Sequence, residues 1–118
     1  MRVLVAYEEA YRSYRDAIVR AIRDNRPRFT GLGTTLQEFG AFLEHFEPHA
    51  VVASRPSAEY PGGGRGAWVE LPTEPSQSGD VCVGGDHDET VNPNLEKVLS
   101  ALDEAEERLR RGALAGSC

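Results

Sequence analysis

Apolar residues along this chain fall in short blocks, and the spacing inside each block predicts an element. Residues 2–7, Arg-Val-Leu-Val-Ala-Tyr, run almost unbroken, as a strand buried on both faces does. Ala10, Tyr11, Tyr14, Ala17, Ile18, Ala21 and Ile22 then recur every three or four positions, one face of a helix whose other face carries Arg12, Arg15, Asp16, Arg20 and Arg23. Asp24-Asn25-Arg26-Pro27 stops that helix, and residues 28–32 form a short second strand. Thr34 and Thr35, followed by Gln37 and Glu38, offer two overlapping capping-box registers. The helix they open carries Leu36, Phe39, Phe42, Leu43 and Phe46 on one side and ends before Pro48. His49 to Ser54 is a third strand of small apolar residues.

The alternation of strand and helix stops there. Residues 54–67 are rich in Pro, Gly and Ser, and a fourth strand covers 67–71. A second helix-free loop, 72–79, leads to a fifth strand at 80–84. Asn92-Pro93 makes a helix entry, and Leu95, Val98, Leu99, Leu102, Ala105 and Leu109 continue at helical spacing to Gly112. A parallel crossover usually needs a dozen residues and a helix, so the loops at 54–67 and 72–79 predict a meander. The expected fold is therefore α/β. It has an open, mainly parallel five-stranded sheet, βαβαβ followed by a β-meander with strand four antiparallel, and a C-terminal helix. Residues 1–112 are expected to form a single domain, and 113–118 a flexible tail.

Composition narrows the function classes. A chain of 118 residues fits one domain, and 40% apolar content is ordinary for a globular protein. The net charge of -6 argues against a nucleic-acid binder, which needs a basic footprint. No apolar run approaches the length of a membrane span, and Glu8 and Glu9 interrupt the first one before a signal peptide can form. A cytoplasmic location is the resulting expectation. Of the two cysteines, Cys82 reads as a small buried hydrophobe and Cys118 as part of a frayed tail, with a bridge between them as the alternative.

Several of these residues form a pattern known from one family. An apolar first strand ends at Tyr7-Glu8, with Glu9 next, and Glu47-Pro48-His49-Ala50-Val51-Val52-Ala53-Ser54 joins a helix end to an apolar strand. Asn92-Pro93-Asn94-Leu95-Glu96 leads into the last helix. This arrangement resembles the receiver domain of two-component response regulators, a flavodoxin-like fold. There an acidic pair after the first strand holds magnesium, and an aspartate ending the third accepts a phosphoryl group. The resemblance implies that Ser54 stands at the acceptor position and that the family's lysine falls near Gly84-Gly85, whereas Lys97 is the only lysine present. Phosphoryl transfer needs a carboxylate nucleophile, an acid-bound metal and a neutralising cation. The expectation is a degenerate, non-catalytic signalling or protein-interaction module, with no catalytic residue, metal or cofactor.

The rival expectation is a small enzyme or anion-binding protein using a pocket where the first and third strands end. Ligands of open α/β sheets bind beyond the carboxyl ends of the strands, at the switch point. That places Tyr7, Glu8, Glu9, Ser54 and Arg55 together as candidate ligand-binding residues. The competing account is that Glu8 and Glu9 favour a helix N-terminus and Arg55 neutralises them. Asp86-His87-Asp88-Glu89 reads as a solvated acidic turn, since adjacent residues rarely converge on one ion. Cys82 with His87 lacks any visible activation as a nucleophile. Gly62-Gly63-Gly64-Arg65-Gly66 opens no helix and lacks a phosphate-loop ending. Tyr11 and Tyr14 are core or interface residues. Three helices leave part of the apolar sheet uncovered, around Val51, Ala53, Trp68, Val69, Leu71, Val81 and Val83, so a homodimer is expected.

Overall fold

The computed structural model describes residues 1–55, 66–72, 77–91 and 94–112. The element order is β1 (Arg2–Tyr7), a single 3-10 turn (Glu9–Tyr11), α1 (Arg12–Asn25), β2 (Thr30–Thr35), α2 (Phe39–Phe46) and β3 (Ala50–Arg55). There follow β4 (Ala67–Pro72), β5 (Ser78–Val83), β6 (Asp86–Val91) and α3 (Leu95–Arg110). The strands make one sheet in the order β2-β1-β3-β4-β5-β6. The α/β class and the C-terminal helix are as expected. The expected tail, 113–118, lies outside the described residues.

The sheet corrects the expected layout in two ways. First, β4 runs parallel to β3, with Val52 opposite Val69, and antiparallel only to β5. A short connection rich in Pro, Gly and Ser is thus no bar to a parallel pairing here. Second, six strands lie among the described residues, because Asp86 to Glu89 lies in β6 and is not a turn. The turn is Gly84-Gly85, with φ of 58° and 92°, between the paired residues Val83 and Asp86. Positive φ at both central positions is what a type I′ two-residue hairpin demands, and glycine adopts it without strain. A Cβ at Gly84 would also sit 2.6 Å from Arg108 Nη1.

Helix ends shifted from the sequence reading for local reasons. The Glu38 N–H donates to Thr35 Oγ1 at 3.2 Å, so the expected threonine cap closes a turn just ahead of α2. Glu47 ends α2 in the left-handed region at φ 49°, directly before Pro48, which disfavours further helix. Asn94, rather than Asn92, caps α3, its Oδ1 accepting from the Lys97 N–H at 2.9 Å.

Two apolar layers sandwich the sheet. Val3, Val5, Tyr7, Val52, Val69 and Val83 face Val19 and Ile22 of α1 and Val98, Leu102 and Ala105 of α3. On the other side Leu4, Ala6, Val51, Ala53, Trp68 and Cys82 meet Phe39 and Leu43 of α2. Phe39 packs edge-on against Trp68, ring centres 5.8 Å apart. α1 and α3 thus share one face of the sheet. The expectation of an open apolar face is not: Val51, Ala53, Trp68, Val69, Leu71, Val81 and Val83 are all buried. Cys82 is disulfide-bonded, with its partner outside the described residues, so it is not the unpaired thiol expected of it. No helix is long and apolar enough to cross a membrane among the described residues.

Charged clamps close the bottom of the α1–α3 layer. Arg26 binds Asp103 through two hydrogen bonds of 2.7 Å, and Arg28 binds Glu106 at 2.7 Å. Each hydrogen bond holds its carboxylate below the ordinary range. At the start of the sheet the His49 N–H donates to Arg2 O at 2.9 Å, and the Arg2 N–H donates back to His49 Nδ1 at 3.0 Å. Nδ1 must be unprotonated to accept. Burial, then the charges of Arg2 and the N-terminus, lower the His49 pKa from its ordinary 6.5.

Two expectations follow for stability. Leu102 is fully buried, so Leu102→Ala should cost about 2–5 kcal/mol in urea unfolding, while Glu96→Ala on the exposed side of α3 costs within about 0.5 kcal/mol. For His49 the folded state disfavours the proton, so its contribution is present above pH 6.5 and is lost as pH falls through the lower folded pKa. The slope of stability against pH in that acid window should flatten in His49→Ala, and an unchanged slope would contradict the Arg2 pairing.

Candidate functional site

The strand order reverses between β1 and β3, so their carboxyl ends form the switch-point crevice of this sheet. Ala6 lies opposite Ala53 in the ladder, and one residue further along stand Tyr7 and Ser54. Tyr7 also pairs with Thr35 of β2, and Ser54 with Leu71 of β4. Alternation turns Tyr7 to the α1 side, with Val3 and Val5, and Ser54 to the same side as Val52. Both are closed off, at 4% and 2% exposure. Neither hydroxyl has a hydrogen-bond partner among the described residues.

The loss of water around Tyr7 dominates its chemistry. Burial, with a smaller push from the nearby Tyr14, raises its pKa from 10.0 to about 12. The phenol is therefore a hydrogen-bond donor at any ordinary pH. Above it, the chain leaves β1 through Glu8, whose carbonyl accepts the Tyr11 N–H at 2.8 Å and sets the 3-10 turn. That turn brings Tyr11 against Tyr14, ring centres 6.2 Å apart, and leaves Tyr14 61% exposed. Tyr14 is thus not the core residue its place in the helical pattern allowed. The corner has a buried hydroxyl floor and an exposed aromatic lip.

The candidate charges are placed differently from the hydroxyls. Glu8 and Glu9 are both exposed, and Glu9 is drawn to Arg12 at 3.5 Å and Arg15 at 3.6 Å. Glu9 thus neutralises the start of α1, while the Arg55 side chain lies outside the described residues. Among the described residues no three acidic, histidine or cysteine side chains gather in a way that could hold a metal ion.

The β5–β6 hairpin spends its charges in pairs. His87 stands opposite Cys82 but bonds Asp80 at 3.0 Å, diagonally across the two strands. Asp88 binds Lys97 at 3.0 Å, and Arg108 binds Asp86 at 3.1 Å and Glu104 at 2.9 Å. These contacts rim a groove of about 160 Å³ between the hairpin and α3. With Cys82 in a disulfide, the Cys82–His87 pair holds no nucleophile. Residues 62–65 of the glycine-rich stretch lie outside the described residues.

Sequence spacing placed Tyr7 and Ser54 together at the strand ends but not their burial, which depends on packing of the β1–β3 face. The exposure of Tyr14 depends on how α1 packs on the sheet. These features describe the class of molecule: a mixed α/β sheet with a switch point between β1 and β3. Against known proteins the chain matches no family model, no curated protein and no solved structure.

Titration tests the floor of this corner. Tyr7 holds its proton more tightly when folded, so its contribution is complete below pH 10 and is lost as pH rises from 10 to about 12. Ultraviolet titration should show a late phenol near pH 12 that disappears in Tyr7→Phe. Because the lost hydroxyl is buried without a partner, Tyr7→Phe should leave stability unchanged or slightly higher. A loss above about 1 kcal/mol would reveal a bonding partner for that oxygen.

Proposed function

We propose that this chain is a non-catalytic, receiver-like interaction module that works through protein contacts. The observation that carries this reading is Ser54, buried at the end of β3 where the receiver pattern calls for an acidic acceptor. A serine hydroxyl shielded from solvent, without a base or metal cluster among the described residues, is poorly placed to take a phosphoryl group. The exposed Tyr14, backed by Tyr11, supplies the kind of rigid aromatic anchor that protein partners bury. Self-association as a homodimer belongs to the same reading.

The rival reading, a small enzyme or anion-binding protein at the same strand ends, draws less support. Arg12 and Arg15 lie near the corner but are engaged by Glu9. The cytoplasmic expectation is not carried into this proposal, because a disulfide at Cys82 is favoured in an oxidising compartment.

Incubation with acetyl phosphate and magnesium should leave the intact mass unchanged. A magnesium-dependent gain of one phosphoryl group, lost in Ser54→Ala, would overturn the non-catalytic reading.

A further inference from the structure

The two edges of the sheet are built differently. β6, at one edge, carries Asp86, Asp88 and Glu89, the charged guard that discourages strand addition. β2, at the other edge, reads Thr-Gly-Leu-Gly-Thr-Thr, with neither charge nor proline. The Thr30 N–H donates to Met1 O at 2.9 Å, so Thr30, Leu32 and Thr34 turn their backbone groups toward β1. Alternation then turns Gly31, Gly33 and Thr35 outward. Arg23 Nη2 covers the Gly31 carbonyl at 2.9 Å, and the Thr34 hydroxyl reaches Thr35 O at 3.3 Å. The Gly33 N–H and C=O have no partner among the described residues.

We propose that β2 pairs antiparallel with β2 of a second copy, about a twofold axis at Gly33, to form one continuous sheet. An isologous contact needs a surface complementary to itself, and this edge has that property. With Gly33 on the axis, Gly33 exchanges both bonds with the partner's Gly33, and Gly31 meets the partner's Thr35. The Gly31 carbonyl has two lone pairs, so it can accept the partner's Thr35 N–H while keeping Arg23. Arg15, whose stem lies 3.2 Å from where a Gly33 Cβ would be, is the cation nearest the axis. Glu9 at 3.6 Å and Asp16 at 3.1 Å balance it, so the two arginines do not meet as bare charges. Glycine at 33 leaves room for the Arg15 stem on that face of the sheet.

This pairing rests on reading the chain as a contact module, and it commits to a second copy as occupant of the edge. A single strand pair makes a small interface, so the dimer should be weak, with dissociation in the micromolar range or above. The test is sedimentation velocity from micromolar to millimolar concentration, alongside amide hydrogen exchange followed by NMR. The expected result is a mass rising from 12.9 kDa toward twice that value, with Gly33 amide exchange slowing at least tenfold as dimer forms. Gly33→Pro, which removes the outward donor, should remain monomeric. A monomer at every concentration overturns the pairing. So does a dimer in which Gly33 exchange is independent of concentration, because association would then use another surface. Should Gly33→Pro fail to fold, the exchange measurement on the unaltered chain decides. Phosphoryl uptake would overturn the non-catalytic reading and leave these two measurements as they stand.

Discussion

The central position of β1 is the constraint on which the rest of this structure depends. It bonds β2 on one edge and β3 on the other, both in parallel. Its faces are closed by different helices, Val3, Val5 and Tyr7 under α1 and α3, Leu4 and Ala6 under α2. A strand held on four sides has no freedom to slip, since a shift by one residue would exchange its two faces. That fixed register carries Tyr7 to the same level as Ser54. It also anchors Arg2 against His49, so the start of the chain and the start of β3 enter the sheet together.

Electrostatics does a different job in each half of the molecule. At the closed end, Arg26–Asp103 and Arg28–Glu106 tie the α1–β2 connection to α3 across a long sequence separation. Around the hairpin, Arg108 reaches Val83 O, Asp86 and Glu104 and fixes the last helix to the β5–β6 turn. At the strand ends the cations are spent locally, on Glu9. The corner at the ends of β1 and β3 holds two hydroxyls without bonding partners among the described residues. Burial explains both the raised pKa of Tyr7 and the poor nucleophilicity expected of Ser54.

Much of the fold was legible because helical and strand periods are local properties. The residues 2–7 strand, the α1 stripe through Ile18 and Ile22, and the α3 stripe through Val98 and Leu102 need only the pattern of nearest neighbours along the chain. The candidate corner was legible in position for the same reason, since strand ends can be located from the pattern. The direction of β4 was not, because it depends on pairing with β3, and a loop's composition does not say which way the next strand will run. β6 was hidden by its charges. Asp86, His87, Asp88 and Glu89 carry no apolar alternation, and they lie in a strand only because Gly84-Gly85 can turn the chain back onto β5.

By itself, then, the amino-acid sequence determined the α/β class, the three amphipathic helices and the absence of a carboxylate at position 54, since side-chain identity and spacing need no partner. Tertiary structure decided the sheet order, the burial of the face expected to lie open, and the exposure of Tyr14 at the lip of the corner. It also decided that Tyr7 and Ser54 share one level and that the bare edge is β2. Each of these depends on which distant strands share hydrogen bonds, and that choice is made by the simultaneous burial of both sheet faces.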